Sequence, residues 1–77
     1  MKAFHVTVFA SGLDPAADDF EQRFYDAGCG DALVAFQSGR IVVDFTRQAE
    51  SLEAAVASAV ADVRRAGAIV TASTTTP

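Results

Sequence analysis

Few residues of this chain could do chemistry, and their spacing decides how far each can go. His5 is the only histidine. If the first strand pairs antiparallel with the strand holding Asp44, the two side chains approach, and a His–Asp pair is half of an acid–base site. No serine or cysteine is placed to act as the nucleophile beside it. His5 therefore reads as a surface or interface histidine that makes one hydrogen bond. Cys29 lies between Gly28 and Gly30, just after a helix end. A reactive thiolate needs a helix N-terminus or a nearby cation, so this is the wrong electrostatic end and the thiol reads as packed or idle. One histidine and one cysteine far apart make no metal set. Gly28-Cys29-Gly30 follows a helix and precedes a strand, the reverse of a phosphate-binding turn. Asp18, Asp19 and Glu21 read as a solvated helix start, and Arg64-Arg65 as a solvated helix end. No catalytic residue, cofactor or metal is expected.

Bulk composition narrows the class. At 77 residues the chain is one domain, and 51% hydrophobic residues exclude a disordered segment. A net charge of −4 argues against direct nucleic-acid binding, which needs a basic stripe. No apolar run approaches the roughly 20 residues of a membrane span. The opening MKAFHVTVFASG is basic and then apolar, but it alternates with period two and reads as a strand rather than a signal segment. A single cysteine leaves no internal disulfide, which suits a cytoplasmic protein.

The elements that position these residues centre on Asp31 to Phe45. Two apolar runs flank Ser38-Gly39, the mark of a hairpin with a two-residue turn. The turn sets the register: Gln37 opposite Arg40, Phe36 opposite Ile41, Val34 opposite Val43, Ala32 opposite Phe45. The other face then carries Ala35 opposite Val42 and Leu33 opposite Asp44. Before the hairpin, Ala3 to Ala10 alternates as a strand. A helix follows, capped by Asp14, with Pro15 at its first position and Gly28 at its end. After the hairpin, Thr46 to Glu50 reads as a short polar connection. Ser51 caps a second helix, whose alanines allow close approach to a sheet, and Gly67 stops it. Ala68 to about Ala72 is a fourth strand.

Strand, helix, strand, strand, helix, strand predicts an α+β, ferredoxin-like split βαβ fold: four antiparallel strands with both helices on one face. The domain is expected to span residues 1–72, with 73–77 a flexible threonine-rich tail. Phe4, Val6, Val8, Val34, Phe36, Ile41, Val43 and Phe45 would face the helices. His5, Thr7, Phe9, Leu33, Ala35, Val42 and Asp44 would line the open side. Much of that side is apolar, which marks an interface; a sheet-to-sheet homodimer is its simplest closure, and the alternatives are another protein partner or ordinary surface scatter.

The AGCGDA turn, the SGRIVVDF strand and the SLEAAVASAVADVRRAG helix resemble the N-terminal domain of a family of poorly characterised bacterial DNA-binding proteins. In that family a helix-turn-helix follows the last strand. Here only STTTP follows Ala72, so DNA recognition is carried over to no residue. The resemblance implies a regulatory or assembly domain. The leading expectation is thus a non-enzymatic interaction domain that self-associates. The alternatives are a small-molecule sensor using a loop such as Ser11-Gly12, and a small enzyme working on the open face with His5 and Asp44.

Overall fold

A computed structural model describes residues 1–76. The chain runs β1 (Lys2–Ser11), α1 (Phe20–Asp26), β2 (Ala32–Gln37), β3 (Arg40–Ala49), α2 (Leu52–Arg65), β4 (Ile69–Thr76). The four strands form one antiparallel sheet in the order β2-β3-β1-β4.

The hairpin has the expected register at every pair from Gln37↔Arg40 to Ala32↔Phe45. Its turn places Ser38 at φ 53° and Gly39 at φ 78°. Two consecutive positive φ values define a type I′ turn, whose twist matches that of the flanking strands. Side chains alternate away from this fixed point. Val6, Val8, Ala10, Ile41, Val43 and Phe45 are all buried on one side of the two central strands. They share a single core with Phe20 and Phe24 of α1 and with Ala55, Ala59 and Val63 of α2. Both helices thus close the same side of the sheet. The small Ala55 and Ala59 let α2 sit close to the strands. Phe20 and Phe24 meet edge to face, 5.4 Å between centroids.

Four local expectations need correction. The first helix does not begin at Pro15. Asp14 accepts a hydrogen bond from the Ala16 amide, and Ala17 and Phe20 then donate to the carbonyls of Asp14 and Ala17. The side-chain bond is the one an N-cap makes, but the i→i+3 backbone bonds do not propagate the i→i+4 ladder of an α-helix, so 14–19 is a run of turns. α1 itself has only 7 residues, and its N-cap Asp19 makes no side-chain cap; the Asp19 carboxylate pairs instead with Arg23 at 3.0 Å. The second correction follows from the first. So short a helix leaves β2 thinly covered, and Phe36, expected to face the helices in the core, is 47% exposed.

The third concerns Thr46–Ala49, expected as a connection. These residues continue β3 and pair with Lys2–His5. The fourth concerns the threonine tail. β4 runs on through Thr76, with Ser73, Thr74, Thr75 and Thr76 opposite Val8, Thr7, Val6 and His5. Threonine is β-branched and favours a strand, and the ten-residue β1 offers unpaired backbone groups along that side. The part of the tail expectation that falls on Pro77 lies outside the described residues. α2 starts as expected, with the Ser51 hydroxyl accepting from the Ala54 amide at 3.1 Å.

Candidate interaction surface on the open sheet face

The register assembles the open face row by row. Directly opposite residues of a sheet share a face. Ala35 pairs with Val42, Val42 with Phe9, and Phe9 with Ala72. One apolar row therefore crosses all four strands. Beside it runs Leu33, Asp44, Thr7 and Thr74. Leu33 at the outer end of this second row is 78% exposed. Arg40, on the other side of the apolar row, folds its guanidinium over the Phe9 ring at 4.2 Å, a cation–π contact that leaves the ring half-buried. At the Phe9 end β4 carries a bulge at Thr71, whose hydroxyl donates to the Phe9 carbonyl at 3.2 Å.

All seven residues expected on the open face lie on it. His5, Leu33 and Ala35 are exposed, and Thr7, Phe9, Val42 and Asp44 are half-buried. Three of them touch. His5 Nε2 contacts Asp44 Oδ1, and the Thr7 hydroxyl donates to the same oxygen at 3.3 Å. Thr7 faces Asp44 directly, whereas His5 reaches it diagonally from its own partner Thr46. The carboxylate is the hub of this cluster. In a nucleophilic triad the imidazole stands between hydroxyl and carboxylate; here the hydroxyl and the imidazole both go to the carboxylate. The arrangement can fix the His5 ring and anchor a polar contact at the face, and it does not activate Thr7.

No family model, curated protein or solved structure matches this chain. Among the described residues no group of three or more His, Cys, Asp or Glu side chains could hold a metal ion, and no helix is long and apolar enough to cross a membrane.

The most connected side chain is one that sequence reasoning missed. Arg47 stands on the helix side of β3, two residues beyond Phe45, and its guanidinium lies 4.6 Å over the Phe45 ring. Nε and NH2 donate to the two oxygens of Asp31 at 3.0 and 2.9 Å. NH2 also donates to the Gly28 carbonyl at 3.0 Å, and NH1 donates to the Ser58 hydroxyl at 3.2 Å while pairing with Asp62 at 2.8 Å. Arg65 closes the far side, reaching Asp62 at 2.8 Å and the Ala27 carbonyl at 2.9 Å. This knot ties β3, α2 and the α1–β2 connection together. It holds the Asp31 carboxyl below its ordinary range, first through the Arg47 hydrogen bonds. Cys29, buried beside it, has its thiol pushed up to about 11 by desolvation and by the Asp62 charge. A signal for Arg47 does exist in the sequence: the alternation Ile41, Val43, Phe45 continues onto it.

Proposed function

We propose that this domain is a non-enzymatic interaction module that self-associates through its open sheet face. The observation that carries the reading is the uninterrupted apolar row Ala35–Val42–Phe9–Ala72, with the exposed Leu33 beside it. A sheet face that met only water would alternate to polar residues there. The charges around the row support a second copy as the occupant. Arg40 and Asp44 flank Val42 on one strand, so two copies apposed antiparallel about Val42 set each Arg40 near the other's Asp44. Such complementarity fixes orientation more than affinity.

The βαββαβ order and the strand sequence β2-β3-β1-β4 support a ferredoxin-like reading of the fold. The resemblance to the N-terminal part of bacterial helix-turn-helix proteins favours a regulatory role for the assembled domain. The net charge of −4 fits a partner other than nucleic acid.

Size-exclusion chromatography with light scattering tests the proposal. Loaded at about 1 mM, the 8.0 kDa chain should elute with at least twice its mass, and Val42→Lys, still folded, with a smaller mass than the wild type. A wild-type chain that remains monomeric at high concentration overturns it.

A further inference from the structure

The second surface lies at the β2 edge and is independent of the open face. β2 is the outermost strand on its side of the sheet, and its sequence ALVAFQ carries no charge. Outer strands are usually guarded by lysine, proline, a bulge or a covering element. Here the covering element falls short, because α1 is only 7 residues long. The two-residue turn makes Gln37 and Arg40 a hydrogen-bonded pair, and such pairs alternate along an antiparallel ladder. Leu33 and Ala35 therefore spend their backbone groups on β3. Val34 and Phe36 present an N–H and a C=O each to the outside, and Ala32 presents its C=O, its N–H being bonded to the Cys29 carbonyl.

On the helix side of this edge is a groove of about 250 Å³, lined by Glu21 and Tyr25 of α1, Cys29, and Ala32, Leu33 and Val34 of β2. A cavity of ~150 Å³ suffices for a benzene ring. Phe36, half-exposed, stands four residues from Ala32 on the same side of the strand.

We propose that β2 is a self-association edge, at which two copies pair antiparallel about Val34 and each lodges its Phe36 in the other's α1–β2 groove. The register follows from symmetry. A two-fold axis perpendicular to the sheet keeps the helices of both copies on one side and requires a residue to face its own counterpart. With Val34 opposite Val34 of the second copy, Phe36 falls opposite Ala32, beside the groove. The Val34 pair exchanges two hydrogen bonds, and each Phe36 N–H reaches the other copy's Ala32 carbonyl. Phe36 and Tyr25, with their partial exposure, cover on the order of 300 Å² per copy. That is well under the ~800 Å² per partner of a standard complex, so the pairing depends on concentration.

Amide hydrogen exchange on the wild-type chain tests this, at about 20 μM and about 1 mM. The Val34 and Phe36 amides should exchange about threefold or more slowly at the higher concentration, while those of Leu33 and Ala35 should not change. The effect should persist in Val42→Lys, which disables the open face, and vanish in Phe36→Ser. Equal exchange of Val34 and Phe36 at both concentrations overturns the proposal. So does slowing that is lost in Val42→Lys or survives in Phe36→Ser. Neither result bears on the open face, whose failure shows instead as an unchanged mass for Val42→Lys.

Discussion

Replacing Arg47 by Leu should destabilise the domain more than any other single surface-charge change. The side chain is only 11% exposed, and it holds Asp31 and Asp62, which are 37% and 16% exposed. Exposed ion pairs contribute about 0–1 kcal/mol, whereas removing one partner of a buried pair costs about 3–5 kcal/mol because the other charge is left uncompensated. Asp62 keeps Arg65 after the change, and Asp31 keeps partial access to water. Arg47→Leu therefore falls between the limits, at about 2–4 kcal/mol, including the Gly28 carbonyl and Ser58 hydroxyl left without a donor. In a domain of this size each kcal/mol moves Tm by about 4–8 °C, so a fall of about 8–32 °C is expected. Urea unfolding at low protein concentration measures it without a contribution from association.

Two controls sharpen the Arg47 result. Arg47→Lys should recover little, because an ammonium cannot reproduce the two-pronged contact with Asp31. The pH dependence has a fixed sign. Asp31 is held below its ordinary 3.8, so the pair stabilises the fold above that value and its contribution is lost as pH falls through the lower, folded one. The gap between wild type and Arg47→Leu should accordingly narrow on acidification below about pH 4. A loss under about 1 kcal/mol at neutral pH refutes the buried-knot reading and returns Arg47 to an ordinary surface pair.

The remaining expectations concern Cys29, the end of β4 and the α2 cap. With its thiol raised from 9.0 to about 11, Cys29 should react with a disulfide reagent at pH 8 far more slowly in the native protein than in urea. The same shift makes stability fall as pH rises from about 9 towards 11, because the unfolded chain releases that proton first. Deleting residues 73–77 strips β1 of its partner opposite His5–Val8, so thermal melting should show a clear loss of stability; an unchanged Tm contradicts the pairing. Ser51→Ala removes the cap on the Ala54 amide and should cost about 1 kcal/mol in chemical denaturation.

Much of the fold was legible because it depends on local rules. Ser38-Gly39 fixes a turn, the turn fixes a register, and the register fixes which side chains share a face. That chain of consequence gave the β2–β3 part of the open face; His5, Thr7 and Phe9 came from the alternation of β1, and Ala72, at the end of the apolar row, was not foreseen. It failed where a local signal competed with tertiary pairing. Asp14-Pro15 looks like a helix start, and the Asp14 carboxylate does accept from the Ala16 amide as a cap would, but the backbone bonds that follow are i→i+3 and the segment stays a run of turns. Thr46–Ala49 and Ser73–Thr76 look like connection and tail because they are polar, yet both line up against the ten-residue β1, which no local pattern announces. The Arg47 knot was hidden for the same reason: its partners come from two separate segments, Gly28 and Asp31 from the α1–β2 connection and Ser58 and Asp62 from α2. The His5–Asp44 approach was expected from strand pairing, but the Thr7 hydroxyl joining the same oxygen depends on the register of β1 against β3.

Methyl NMR with a soluble paramagnetic probe tests the self-association claim most directly, because Val42 lies at the centre of the apolar row and away from both sheet edges. In a Phe36→Ser background, which removes edge pairing, the Val42 methyl groups should be broadened by the probe at about 20 μM and shielded at about 1 mM. Equal broadening at the two concentrations would show the open face bare to water and contradict the account.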